Sequence, residues 1–124
     1  MKKLYQKYQG REIEDAGSCV SDDFYRLANQ IKRAFTNAAK ENGIELVKFA
    51  KGHYYIFGFF KKDEKYVYFS WNAPRWSSRI NFNATDAMSG FMLRTAKHDK
   101  DYTGGFNNFT NLFGFMDTLN KLMA

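Results

Sequence analysis

Cysteine, proline and histidine are nearly missing from this chain. Its 124 residues hold one cysteine, Cys19, one proline, Pro74, and two histidines, His53 and His98. A lone thiol makes no internal disulfide, so the expected setting is a reducing compartment, the cytoplasm. His98, Asp99 and Asp101 lie together, but no second cluster of His or Cys exists to complete a zinc set. Neither a metal nor a cofactor is expected. One proline leaves no Pro-rich linker. Long apolar runs are missing as well: the longest, Tyr54 to Phe60 (YYIFGFF), is far short of the ~20 residues of a membrane span. The opening MKKLYQKYQGREIEDAG has no apolar stretch after its basic residues and does not read as a secretory signal. No membrane contact is expected.

These absences thin the list of chemistries. Cys19 with His53 or His98 would be a nucleophile–base pair, but an incidental thiol is the simpler reading. Asp22-Asp23 and Asp63-Glu64 read as a helix first turn and a hairpin tip. No catalytic residue is assigned, and the chain reads as a binding protein rather than an enzyme.

What the sequence has in quantity is aromatic and basic. Aromatics make up 19%, with 13 Phe and 8 Tyr, and the formal net charge is +6. That composition is too apolar for a disordered chain, and the charge favours polyanionic partners through steering and counterion release. The charge is dispersed, with no polybasic tail.

Residues 1–17 are polar and aperiodic and read as an N-terminal arm; residues 18–124 read as one domain. Ser21 is an N-cap candidate, Asn42-Gly43 a C-cap, and Phe24, Leu27, Ala28, Ile31, Phe35 and Ala38 form a helical stripe between them. From Ile44 the period changes to two. Strands are expected at 44–50, 53–60, 65–71 and 79–83, with 91–96 either a fifth strand or a short helix. The tail predicts a second helix capped by Asn108, with Phe109, Leu112, Phe113, Met116, Leu119 and Met123 on one face and Gly114 inside it. The fold class is α+β: an antiparallel sheet of four to five strands with an N-terminal and a C-terminal amphipathic helix.

If the link KKDE is a four-residue turn, Gly58 pairs with Val67, Ile56 with Phe69 and Tyr54 with Trp71. This set reads as core, with Gly58 leaving room for a helix. The opposite face carries Tyr55, Phe57, Phe59, Tyr66, Tyr68 and Ser70, and strand 79–83 would set Arg79 and Asn81 beside it. Rings flanked by a cation and an amide make a stacking platform for bases. A helix or a twin subunit covering that face is the competing expectation, and a homodimer would serve.

Between Arg94 and Asn108 runs RTAKHDKDYTGGFNN. Gly104 and Gly105, feeding a helix and flanked by Arg94, Lys97 and Lys100, would make an anion-binding concavity. Asp99 and Asp101 oppose it, and no P-loop spacing is present. Arg75 and Trp76 are an interface candidate in a loop.

Two functions follow as expectations. The first is a non-catalytic binder of single-stranded nucleic acid or of a free or cyclic nucleotide. The second is an inhibitor, encoded by a phage or mobile element, that blocks a host nuclease or defence protein. The Lys-, Asn-, Phe- and Tyr-rich, Pro-poor composition suggests the AT-rich genome such elements often have.

Overall fold

Between Ile44 and Ala96 hydrophobic residues recur at alternate positions, the period of a pleated strand. The computed structural model, which describes residues 4, 12–13, 22–52, 55–72, 82–83 and 90–124, turns that pattern into a sheet. The elements are β1 (Glu12–Ile13), α1 (Asp22–Glu41), β2 (Glu45–Lys51), β3 (Tyr55–Lys62), β4 (Lys65–Asn72), β5 (Phe82–Asn83), β6 (Phe91–Ala96), β7 (Asn108–Thr110) and α2 (Phe115–Met123). Five strands form one antiparallel sheet in the order β2-β3-β4-β6-β7, while β1 and β5 pair separately. Among the described residues the architecture is α+β: a five-strand antiparallel sheet plus two helices.

Helix α1 ends as its sequence requires. Gly43 adopts φ 70°, Ile44 N–H donates to the Ala39 carbonyl at 2.8 Å and Gly43 N–H to that of Lys40 at 3.1 Å. This is the paired-bond cap that glycine permits, and Ile44 and Ala39 are both buried beside it. Leu27, Ala28, Ile31, Phe35 and Ala39 are buried along the helix. Ala39 takes the place expected for Ala38, which is only half-buried.

Both helices lie on one face of the sheet, here called the inner face. Ile56 and Phe60 of β3, Val67, Phe69 and Trp71 of β4, and Phe91 and Leu93 of β6 meet Leu112, Phe115, Leu119 and Met123 from the tail. Phe35 sits at the centre, stacked on Phe115 with centroids 4.2 Å apart and edge-on to Phe69 at 5.4 Å. Offset and edge-to-face rings of this kind add to the area they bury.

Several expectations are corrected. The β3–β4 turn is the two residues Asp63 and Glu64, with Asp63 at φ 54°, so Phe60 pairs with Val67, Gly58 with Phe69 and Ile56 with Trp71. The expected pairing was two residues out of register, and an even slip leaves every side chain on its expected face. Gly58 makes room for backbone, not for a helix: a Cβ there would land on the Lys48 carbonyl oxygen and press on the Phe69 ring. Residues 82–83 pair with β1 instead of joining the main sheet, and β6, a strand, takes the place beside β4.

The tail also differs. Asn108 and Phe109 belong to β7, and α2 begins only at Phe115. Asn111 Oδ1 accepts the Gly114 N–H at 2.8 Å, so Gly114 stands at the helix entrance rather than inside it. Phe109 and Phe113 are exposed, and Phe115, not expected on the buried stripe, is in the core.

Candidate functional site

Neither α1 nor α2 lies over the outer face of the sheet. Alternation places Tyr55, Phe57 and Phe59 of β3 there, with Tyr66, Tyr68 and Ser70 of β4. Strand β6 adds Arg94, whose register partner is Tyr68. A cation from β2 arrives by an irregularity. Leu46 pairs with Phe60 and Lys48 with Phe59, so one extra residue, Val47, bulges from the edge strand. Without the bulge Lys48 would share the inner face with Leu46; with it, Lys48 turns outward.

Tyr102, from the loop between β6 and β7, lies across these rings. Its ring packs edge-on to Phe57 at 6.1 Å, Phe59 at 5.4 Å and Tyr68 at 5.7 Å. Phe59 is fully buried as a result, although it faces away from both helices. Lys48 Nζ donates to the Tyr102 hydroxyl at 2.6 Å and lies 5.2 Å from its ring centroid. The Arg94 guanidinium donates to the Tyr102 carbonyl and stands 4.8 Å over the Tyr68 ring. Its Nε is buried and has no hydrogen-bond partner among the described residues.

The loop that delivers Tyr102 is organised by Asp101. One carboxylate oxygen accepts the Lys97 N–H at 3.0 Å; the other accepts the Thr103 N–H at 3.1 Å and the Thr103 hydroxyl at 3.3 Å. The Lys97 N–H, and then that of Thr103, hold this carboxyl below its ordinary pKa. His98 Nδ1 accepts the Lys100 N–H at 3.1 Å. Asp101 and His98 are thus engaged within their own loop.

Beside Tyr102 a cleft of about 520 Å³ remains open, lined by Tyr55, Phe57, Tyr68 and Tyr102 with Ser70 and Asn72. Tyr55 and Phe57 are stacked 5.8 Å apart at 29°. A second hollow of about 340 Å³, lined among others by Lys97, His98, Asp101, Gly104 and Gly105, lies within the loop.

The residues named from the sequence therefore divide. Tyr55, Phe57, Tyr68 and Arg94 come together, while Tyr66 shares their face at the hairpin end, beside Lys61. Lys97 and Lys100 are exposed in the loop. Gly104 and Gly105, at φ 89° and 70°, lead into β7 and not into a helix, so the expected helix-entry cradle does not form. Arg75, Trp76, Arg79, Asn81, Cys19 and His53 lie outside the described residues. Tyr102, Lys48 and Asn72 were not singled out, and Ser70 was placed on this face without a role; only Lys48, a charge between Val47 and Phe49, hinted at its place.

Among the described residues, no group of three or more His, Cys, Asp or Glu side chains is placed to hold a metal ion. No helix among them is long and apolar enough to cross a membrane. Compared with protein-family models, with curated proteins and with solved structures, the chain matches none.

Proposed function

We propose that this chain is a small non-catalytic binding protein that takes a phosphate-bearing ligand, a single-stranded nucleic acid or a free or cyclic nucleotide, on its outer aromatic face. The observation that carries this reading is the cleft between the stacked Tyr55–Phe57 pair and Tyr102. Its volume falls in the ~300–1,000 Å³ range of small-ligand sites. Its aromatic walls accept any base by stacking, and Ser70 and Asn72 offer hydrogen bonds to a base edge. Lys48 and Arg94 flank the rings, and the net charge of +6 draws phosphate toward them.

Fluorescence anisotropy tests this with a labelled single strand of about 12 nucleotides, within the ~4–16 that single-strand sites span. Binding is expected to weaken steeply between low and moderate salt. Tyr68→Ala, checked for an intact fold by circular dichroism, should lower affinity by roughly 5- to 150-fold, as loss of one stacked base implies. Competition by a free or cyclic nucleotide identifies the smaller ligand. If neither ligand binds at low salt, the reading fails.

A second reading, an inhibitor from a phage or mobile element that blocks a host nuclease or defence protein, draws on Phe106 and Phe109, which are 90% and 69% exposed. A host protein retained on the immobilised chain after nuclease treatment, and released by Phe106→Lys, would favour it. Retention unaffected by that substitution would count against it.

A further inference from the structure

The two edges of the main sheet are guarded differently. Edge strand β2 carries Glu45, Lys48 and Lys51 and a bulge, the devices that keep an edge from pairing with another chain. Edge strand β7, three residues long, has neither the charges nor a bulge. Its far side pairs with no strand among the described residues. No charged residue occurs anywhere from Tyr102 to Met116, in a chain that is 26% charged. Along this stretch Phe106, Phe109 and Phe113 are 90%, 69% and 58% exposed. Phe109 lies in β7, Phe106 and Phe113 flank it in sequence, and exposed rings beside an uncharged edge mark an interaction surface.

We infer that β7 is a self-association edge: two copies pair β7 antiparallel about a two-fold axis, Phe109 facing its own counterpart, and join two five-strand sheets into one. Three observations favour a second copy as the occupant. Phe109 is the middle residue of the three in β7, so antiparallel pairing centred on it is self-complementary, as a two-fold contact must be. The net charge opposes the approach of two copies, and a contact through this stretch adds no burial of charged side chains to that cost. A foreign partner attracted by a +6 chain would be acidic, and the stretch holds no cation to meet its carboxylates. The exposed part of the three rings amounts to roughly 400 Å² per copy, about half of the ~800 Å² per partner in a standard interface. Association is therefore expected to be weak and concentration-dependent. An axis perpendicular to the sheet keeps both outer faces, and both clefts, on the same side.

Sedimentation equilibrium from about 5 µM to about 500 µM covers the range in which so small an interface associates. The average mass should climb from 14.5 kDa toward twice that value. Phe109→Lys should weaken association at least tenfold while leaving the thermal midpoint of the dilute protein unchanged. Phe106→Lys, at a ring that is almost fully exposed, should weaken it too and serves if the first variant folds poorly. Exchanging the charges of the opposite edge, Glu45→Lys together with Lys51→Glu, keeps the net charge and should leave the mass curve as it was. A mass that stays at 14.5 kDa throughout overturns the inference and leaves the edge to a foreign strand. Self-association that survives both Phe substitutions also overturns it. Neither result depends on whether the cleft binds a nucleotide.

Discussion

The two faces of one sheet are covered in opposite ways. The inner face lies under two helices and is sealed by apolar side chains, with Phe35, Phe60, Phe69, Phe91 and Phe115 in mutual contact. The outer face is just as aromatic, yet among the described residues its cover is Tyr102 on a loop, held by Lys48, Arg94 and a turn built on Asp101. Aromatic content alone therefore does not separate core from site. What separates them is the cover: two helices bury their face through many contacts, whereas a loop that hangs on a few polar bonds leaves a cleft beside it.

The largest effect should come from the inner face. Phe35→Ala removes a fully buried ring from the centre of the cluster, and truncations of this kind cost about 3–5 kcal/mol. Denaturant unfolding should show that loss as a lower midpoint. A loss under about 1 kcal/mol would mean that α1 is not the principal cover of the sheet.

A smaller effect is expected on the outer face. Tyr102 remains 39% exposed, so Tyr102→Ala should cost about 1–2 kcal/mol, the part-burial value for one ring. It should also uncover Phe59 and open the cleft on one side. Tyr102→Phe keeps the ring and loses only the bond from Lys48 Nζ, worth about 0.5–1.5 kcal/mol. If the two substitutions cost the same, the hydroxyl rather than the ring holds the loop, and the contrast between the faces sharpens.

Much of this layout was legible in the alternation of YYIFGFF and KYVYFSW. The side each ring faces survives a two-residue error in pairing, because faces repeat every two residues. The strand beside β4 was not legible from order alone: residues 82–83 come next in sequence, but Phe91 and Leu93, with Arg94 between neighbours of opposite face, fit the slot. In the tail, Phe109, Leu112, Phe113 and Met116 recur at helical spacing, and that pattern hid a three-residue strand and the turn in which Asn111 accepts the Gly114 N–H. Tyr102 carries no periodic signal at all. Its position depends on a bulge that turns Lys48 outward and on a carboxylate that folds the loop, and both act only in three dimensions.

That carboxylate gives the smallest effect and the most local one. Asp101 accepts the N–H groups of Lys97 and Thr103 in its charged form, which holds its pKa below the ordinary value. A carboxyl depressed on folding contributes stability above its unfolded pKa, and that contribution is lost as pH falls through the folded one. The loop should thus stay closed from neutral pH down through the usual carboxylate range near ~4 and loosen only below it. The amide resonances of Lys97 and Thr103 should titrate together, with a midpoint under the ordinary Asp value. In Asp101→Asn that titration should vanish, and the Tyr102 ring signals should already resemble those of the acid form at neutral pH. A shared midpoint at or above the ordinary value would mean the turn is held by something other than the charge on Asp101. The outer cover would then depend on Lys48 and Arg94 alone, and acid would leave it as closed as the inner one.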